Sequence, residues 1–162
     1  MERLSAGSYR AWRVTIEPAL RGEGESSVPC GECTACCRSS QFVFVGADEH
    51  DALTHIPKAL RFPAPRHPGA FVMGYDKDGR CPMLGDDGCT IYEHRPMTCR
   101  TYDCRVFAAT GVTPDQPLIA AQVARWEFDG AIDPVARVHD DTDAPALHRA
   151  LEALRDEGTT LA

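Results

Sequence analysis

Apolar residues along this chain fall into two regimes. In the first two thirds they come in short runs cut by glycine and proline, and in the last third they recur at helical spacing. Gln41-Phe42-Val43-Phe44-Val45 is β-branched and aromatic and stops at Gly46, which predicts a strand. Phe71 to Tyr75 predicts a second strand, closed by a turn over Asp76-Lys77-Asp78-Gly79 that delivers Cys81. Between them Asp48 is placed to cap a helix running through Leu53 and Ile56 toward Leu60, with Pro57 working against its length. Pro63, Pro65 and Pro68 form a breaker-rich loop. Near the front, Arg10 to Leu20 predicts a short helix, followed by a loop over residues 22–27.

Toward the end, Leu118, Ile119, Val123 and Trp126 recur at near-helical intervals within Gln116 to Phe128. Ala144 to Glu157 places Leu147, Ala150, Leu151 and Leu154 on one helical face, with Asp143 as N-cap, Pro145 in the first turn and Gly158 as the stop. Trp126 and Phe128 read as core aromatics. The pattern implies a small single α+β domain over residues 1–162, with few short strands, a cysteine-rich core over 29–107 and a C-terminal helical part over 116–158.

Cysteine changes this picture most. Cys30, Cys33, Cys36 and Cys37 spell C-x2-C-x2-C-C, and Cys81, Cys89, Cys99 and Cys104 form a second group. A C-x2-C turn aims two sulfurs at one ion that accepts four, so the eight thiols read as metal ligands. Neither group alone offers an unstrained pair of sites, and the two are expected to converge. Side chains on adjacent residues tend to diverge, so Cys36 and Cys37 are expected to serve different ions or different irons. Zinc needs only four thiolates per ion. Yet three closely spaced thiols with a remote Cys81-Pro82 also echo ferredoxin ligand runs, leaving zinc and iron, including an iron–sulfur cluster, both open.

Arg95 and Arg100 flank Cys99, where a guanidinium can offset thiolate charge or donate to sulfur; both are candidate supporting residues of the centre. Tyr92 and Tyr102 are expected to cover it with ring surface. His50, His55, His67 and His94 lack paired metal-site spacing and are not expected to be ligands. Asp76, Asp78, Asp86 and Asp87 read as turn residues, because the spaced carboxylates of a calcium loop are absent.

Charge excludes further classes. The chain carries 24 acidic against 17 basic residues, a net charge of -7, and its only lysines are Lys58 and Lys77. That balance argues against nucleic acid and anionic membrane partners, and leaves an unknown protein partner open. Residues 1–20 are interrupted by Glu2, Arg3, Arg10, Arg13 and Glu17 with no secretory apolar run, so a cytoplasmic location is expected. In that reducing compartment dense thiols read as metal or redox chemistry.

The string from Cys30 to Cys37, then Cys81-Pro82-Met83-Leu84, then Gly88-Cys89-x-Ile91-Tyr92-Glu93-x-Arg95-Pro96-x-x-Cys99-Arg100-x-Tyr102-x-Cys104, resembles the CxxCxxCC family of zinc- or iron-chelating proteins, also called the YkgJ cysteine-cluster family. The resemblance covers about residues 29–107 and matches all eight family cysteines. Flagellin lysine methylases carry a similar cysteine region, which implies an iron–sulfur cluster taking part in methyl transfer; this chain is much shorter and shows no obvious site for a methyl donor. Three functions follow as expectations: a metal-binding module, an iron–sulfur redox or methyl-transfer enzyme, and a thiol redox sensor.

Overall fold

A computed structural model describes residues 2–129. Helices and strands are mixed, as an α+β chain requires, and the contacts divide it into two compact units: Cys30–Tyr102, and residues 2–29 with 103–129. In chain order the elements are β1 (Leu4–Ser8), α1 (Tyr9–Leu20), β2 (Val43–Val45), α2 (His50–His55), β3 (Phe62–Pro63), β4 (Phe71–Met73), β5 (Leu84–Gly85), β6 (Gly88–Cys89), α3 (Met97–Thr101), α4 (Arg105–Thr110), α5 (Pro117–Val123) and β7 (Trp126–Asp129). Short 3-10 turns lie at Cys36–Arg38, Lys58–Leu60 and Tyr92–His94.

In the unit holding both ends of the described chain, β1 runs parallel to β7, pairing Leu4 with Trp126 and Ser8 with Asp129 across a bulge between Ser5 and Gly7. Helix α1 starts one residue earlier than its pattern predicts, because the Ser8 hydroxyl accepts from the Ala11 N–H. Trp12, Ile16 and Ala19 form its buried face, at intervals of four and three. Pro18 cannot donate a backbone hydrogen bond, and the helix closes two residues later.

Here the structure corrects the expected tail. Trp126 and Phe128 do not continue a helix: α5 stops at Val123, and β7 follows with Trp126 and Phe128 buried and Glu127 and Asp129 exposed. That alternation has the period of a strand, and partnership with β1 decided between two readings that so short an apolar run leaves open. Phe128 packs edge-on against Tyr9 at 5.3 Å and tilted against Trp12 at 5.0 Å. The helix expected over Ala144 to Glu157 lies outside the described residues.

Residues 30–102 carry a three-stranded antiparallel sheet in the order β2-β4-β3 and the separate β5-β6 hairpin. Both predicted strands form but are shorter than their apolar runs, at Val43–Val45 and Phe71–Met73. Helix α2 is also shorter than expected, ending at His55 just before Pro57, and Glu49 rather than Asp48 stands at its cap position. Val43, Val45, Ala52, Ile56, Met73, Met83 and Ile91 make the core of this unit, and Cys81, Cys89 and Cys99 pack against it. The thiols therefore sit where an apolar wall meets solvent.

Candidate metal centre

Four local devices place the thiols. The Cys33 N–H donates to the Cys30 carbonyl at 2.9 Å, closing the C-x2-C turn, with Gly31 supplying a left-handed residue at φ 54°. Cys36 and Cys37 open the 3-10 turn Cys36–Arg38, which the Ser39 hydroxyl braces by donating to Ala35 O at 2.6 Å. Cys89 lies on β6 across from Leu84, and Cys99 sits inside α3, which begins at Met97 just after Pro96 at its cap position. Glu49 ties that helix down: it accepts from the Gly46 N–H at 2.7 Å and from the Met97 N–H at 2.5 Å.

Two backbone hydrogen bonds join the first cysteine group to the second. The Ser40 N–H donates to Gly79 O at 2.9 Å, and the Cys81 N–H donates to Cys37 O at 2.7 Å. The predicted Asp76 to Gly79 turn makes this possible. Its Asp76 carboxylate accepts from the Asp78 and Arg80 N–H groups, both at 2.9 Å, and those bonds hold the carboxyl below its usual range. Gly79, at φ 75°, leaves space that Ser40 fills, since a Cβ there would stand 2.5 Å from the Ser40 Oγ.

Adjacent Cys36 and Cys37 do not diverge. Their sulfurs are 3.9 Å apart on the 3-10 turn Cys36–Arg38. Two thiolates on one tetrahedral ion, with bonds of about 2.3 Å, stand about 3.8 Å apart, so this spacing suits a shared ion. The two side chains therefore lie closer together than adjacent positions were expected to bring them.

The electrostatics show which thiols are neighbours. Cys36 is lowered to about 7, chiefly by its hydrogen bond with Cys37 and against the cost of burial, with the Arg95 charge assisting. Its partner is driven up by the same hydrogen bond, by burial and by negative charge at Cys36, Cys81 and Cys99. Burial pushes Cys99 up to about 12, reinforced by Cys81, Cys36 and Cys89, while Arg95 opposes. Cys81 is raised for the same reasons, burial first. Cys36, Cys37, Cys81, Cys89 and Cys99 thus form one mutually interacting group of half-buried thiols. Soft sulfur donors on an apolar wall are the donor set that zinc or iron takes.

The Arg95 charge acts on Cys36 and Cys99. Arg95 Nε donates to Tyr92 O at 2.6 Å and its guanidinium lies 3.5 Å over the exposed Tyr92 ring. Arg100 reaches Glu49, with Nη2 3.9 Å from Oε1. Cys104 belongs to the other unit, buried at the start of α4, where its sulfur accepts the Trp126 indole N–H at 3.1 Å. Sequence reasoning placed Trp126 only in the core, and no spacing rule links it to Cys104.

The residues on either side of Cys104 fix it further. Asp103 and Arg105 are both buried and form an ion pair with Arg105 Nη2 at 2.8 Å from Oδ2. Asp103 also accepts from Trp12 Nε1 at 2.9 Å and from the Ser26 hydroxyl. Arg105 donates to Ala6 O and Ser27 O, both at 3.0 Å.

Residues 29–116 match the CxxCxxCC family, described as "Putative zinc- or iron-chelating domain". The chain belongs to the CxxCxxCC family. The match spans both cysteine groups and extends through α4, so membership in this family supports metal binding in general. No curated protein and no solved structure matches the chain. Among the described residues no helix is long and apolar enough to cross a membrane.

Proposed function

We propose that this CxxCxxCC protein is a metal-binding module whose centre is built on Cys36, Cys37, Cys81, Cys89 and Cys99, with Cys30, Cys33 and Cys104 completing an eight-thiol ligand set for zinc or iron. The observation that carries the reading is the 3.9 Å approach of the Cys36 and Cys37 sulfurs within a group of five interacting thiols. One tetrahedral ion takes four sulfurs, and five or more favour a centre of more than one metal. Bound metal supplies positive charge that makes the buried thiolates tolerable. The chain's own part is to hold the sulfurs through the Cys37–Cys81 backbone bond and to place Arg95 beside Cys36 and Cys99.

A second reading takes the metal as an iron–sulfur cluster in redox or methyl-transfer chemistry. Cys81-Pro82 and the Arg95 charge favour it, since a cation near cluster thiolates tunes potential. Elemental analysis and an optical spectrum of protein purified without oxygen decide the matter. Zinc or iron at more than one equivalent, with the thiols shielded from alkylation, is the expected result; a brown protein rich in iron and sulfide selects the second reading. Protein without either metal, whose eight thiols alkylate at once, overturns both.

A further inference from the structure

A second group of ligand atoms lies away from sulfur. Asp51 and His55 occupy one face of α2 at i and i+4, and His94 reaches them from the 3-10 turn Tyr92–His94. His94 Nδ1 is 2.9 Å from Asp51 Oδ2, His55 Nδ1 is 3.6 Å from Asp51 Oδ1, and one donor atom from each residue lies within 4.8 Å of the others. The two imidazoles stack with centroids 3.5 Å apart and planes 5° from parallel. Among the described residues this is the grouping of three histidine or carboxylate ligands that meets such a distance.

We propose that Asp51, His55 and His94 form a second cation site, for a divalent ion of borderline hardness such as zinc, cobalt or nickel. Neither composition nor spacing indicated it, because His94 is 43 residues from Asp51 and only the fold joins them. With metal–nitrogen and metal–oxygen bonds of about 2.1 Å, neighbouring donors stand about 3.0 Å apart in an octahedral shell and about 3.4 Å in a tetrahedral one. The two oxygen–nitrogen separations, one to each carboxylate oxygen, lie close to those edges. Two imidazoles and one carboxylate are a donor set of mixed nitrogen and oxygen, harder than the thiol group and suited to different ions.

The protons are accounted for. In the absence of metal, Asp51 O and Oδ2 can only accept, so His55 Nδ1 and His94 Nδ1 each carry the proton they donate. A neutral imidazole that binds metal through Nδ1 carries its proton on Nε2, and both rings are more than a third exposed, so water can receive that hydrogen bond. Coordination also turns the parallel rings toward the shared ion, and exposure leaves them room. Two imidazoles face to face repel when both are protonated, whereas a shared cation makes their approach favourable. Exposure leaves the remaining positions on the ion open to water or to a small anionic ligand.

Nickel is the probe, applied to protein first loaded with zinc until its thiols resist alkylation and then dialysed against a weak chelator that strips zinc held by nitrogen and oxygen donors while the thiols stay shielded. Equilibrium dialysis against Ni2+ should then show one further equivalent bound by the natural chain. His94→Ala and His55→Ala should each weaken it at least about tenfold, Asp51→Asn by about ten- to a hundredfold, while His50→Ala and His67→Ala leave it unchanged. Thiol shielding should be the same in every variant, which certifies the fold and separates this site from the thiol centre. A chain that takes up no further nickel once its thiols are shielded overturns the proposal, as does a His55→Ala/His94→Ala double variant that binds like the natural chain.

Discussion

Replacing Asp103 with alanine should be the most damaging single change in the unit that carries Cys104. Its side chain is fully buried and that of Arg105 is 8% exposed, and the guanidinium donates to the Asp103 carboxylate from Nε and Nη2 at 2.8–3.2 Å. Removing the carboxylate leaves a buried cation facing two backbone carbonyls, Ala6 O and Ser27 O, and also strips Trp12 Nε1 of its acceptor. Breaking a buried pair by removing one partner costs about 3–5 kcal/mol. Against a typical domain stability of about 5–15 kcal/mol, that is at least about a fifth of the total.

Urea unfolding followed by tryptophan fluorescence reads this unit selectively, because both tryptophans, Trp12 and Trp126, lie in it. With a slope of about 2 kcal/mol per molar, the midpoint should fall by about 1.5–2.5 M. The double variant Asp103→Leu/Arg105→Met should recover much of the loss, since replacing both charges by apolar groups is often close to neutral. Acid gives an independent check. Burial raises the Asp103 carboxyl, but Arg105, Ser26 and Trp12 outweigh it and hold the folded value below the ordinary one. A depressed folded value means the stability is present above the unfolded value of about 3.9 and is lost as pH falls through the folded one. The natural chain should therefore lose stability below about pH 4, and Asp103→Ala should lose less of it there. A midpoint shift equivalent to under about 1 kcal/mol for Asp103→Ala would refute the account of a desolvated pair.

Gly79→Ala should strain a backbone at φ 75° and push on the Ser40 Oγ, costing about 1–3 kcal/mol and raising alkylation of Cys37 and Cys81 in parallel. Ile56→Ala, at a residue only 1% exposed, should destabilise residues 30–102 by about 2–5 kcal/mol, read by the rate of limited proteolysis. Cys33→Ser should give insoluble or protease-sensitive protein if the centre is structural, because structural metal contributes on the order of 10 kcal/mol of apparent binding energy. An unchanged melting temperature for Cys33→Ser would instead mark the metal as catalytic, regulatory or cargo.

The parts of the fold legible in the sequence were those fixed by local rules. α1, β2, β4 and the Asp76 to Gly79 turn rest on periodicity, β-branched runs and turn chemistry within about a dozen residues. β1 and β7 were missed because Leu4–Ser8 is short and glycine-bearing, and its partner lies more than a hundred residues away. Separations of 22, 77 and 43 residues hid three features of the sites: the Cys104–Trp126 hydrogen bond, the Ser26–Asp103 contact and the His94–Asp51 contact. The cysteines were visible because candidate ligands identify themselves by residue type. The closeness of Cys36 to Cys37 was not, since it depends on a turn geometry that spacing alone leaves open.

Burial and metal chemistry oppose each other at the thiols. Cys81 and Cys99 stand against the apolar core of Val43, Met73 and Ile91, and burial pushes both toward the protonated thiol. A metal accepts only the thiolate, so loading the centre must expel protons into water and place negative charge against that wall. Arg95 offsets part of it, and a doubly charged ion offsets far more. The wall therefore discriminates: it resists thiolates without metal and, by excluding water, strengthens the attraction once metal is present. Affinity should rise with pH for this reason, and the backbone bonds Ser40–Gly79 and Cys37–Cys81 are what keep the sulfurs waiting together while the site is still protonated.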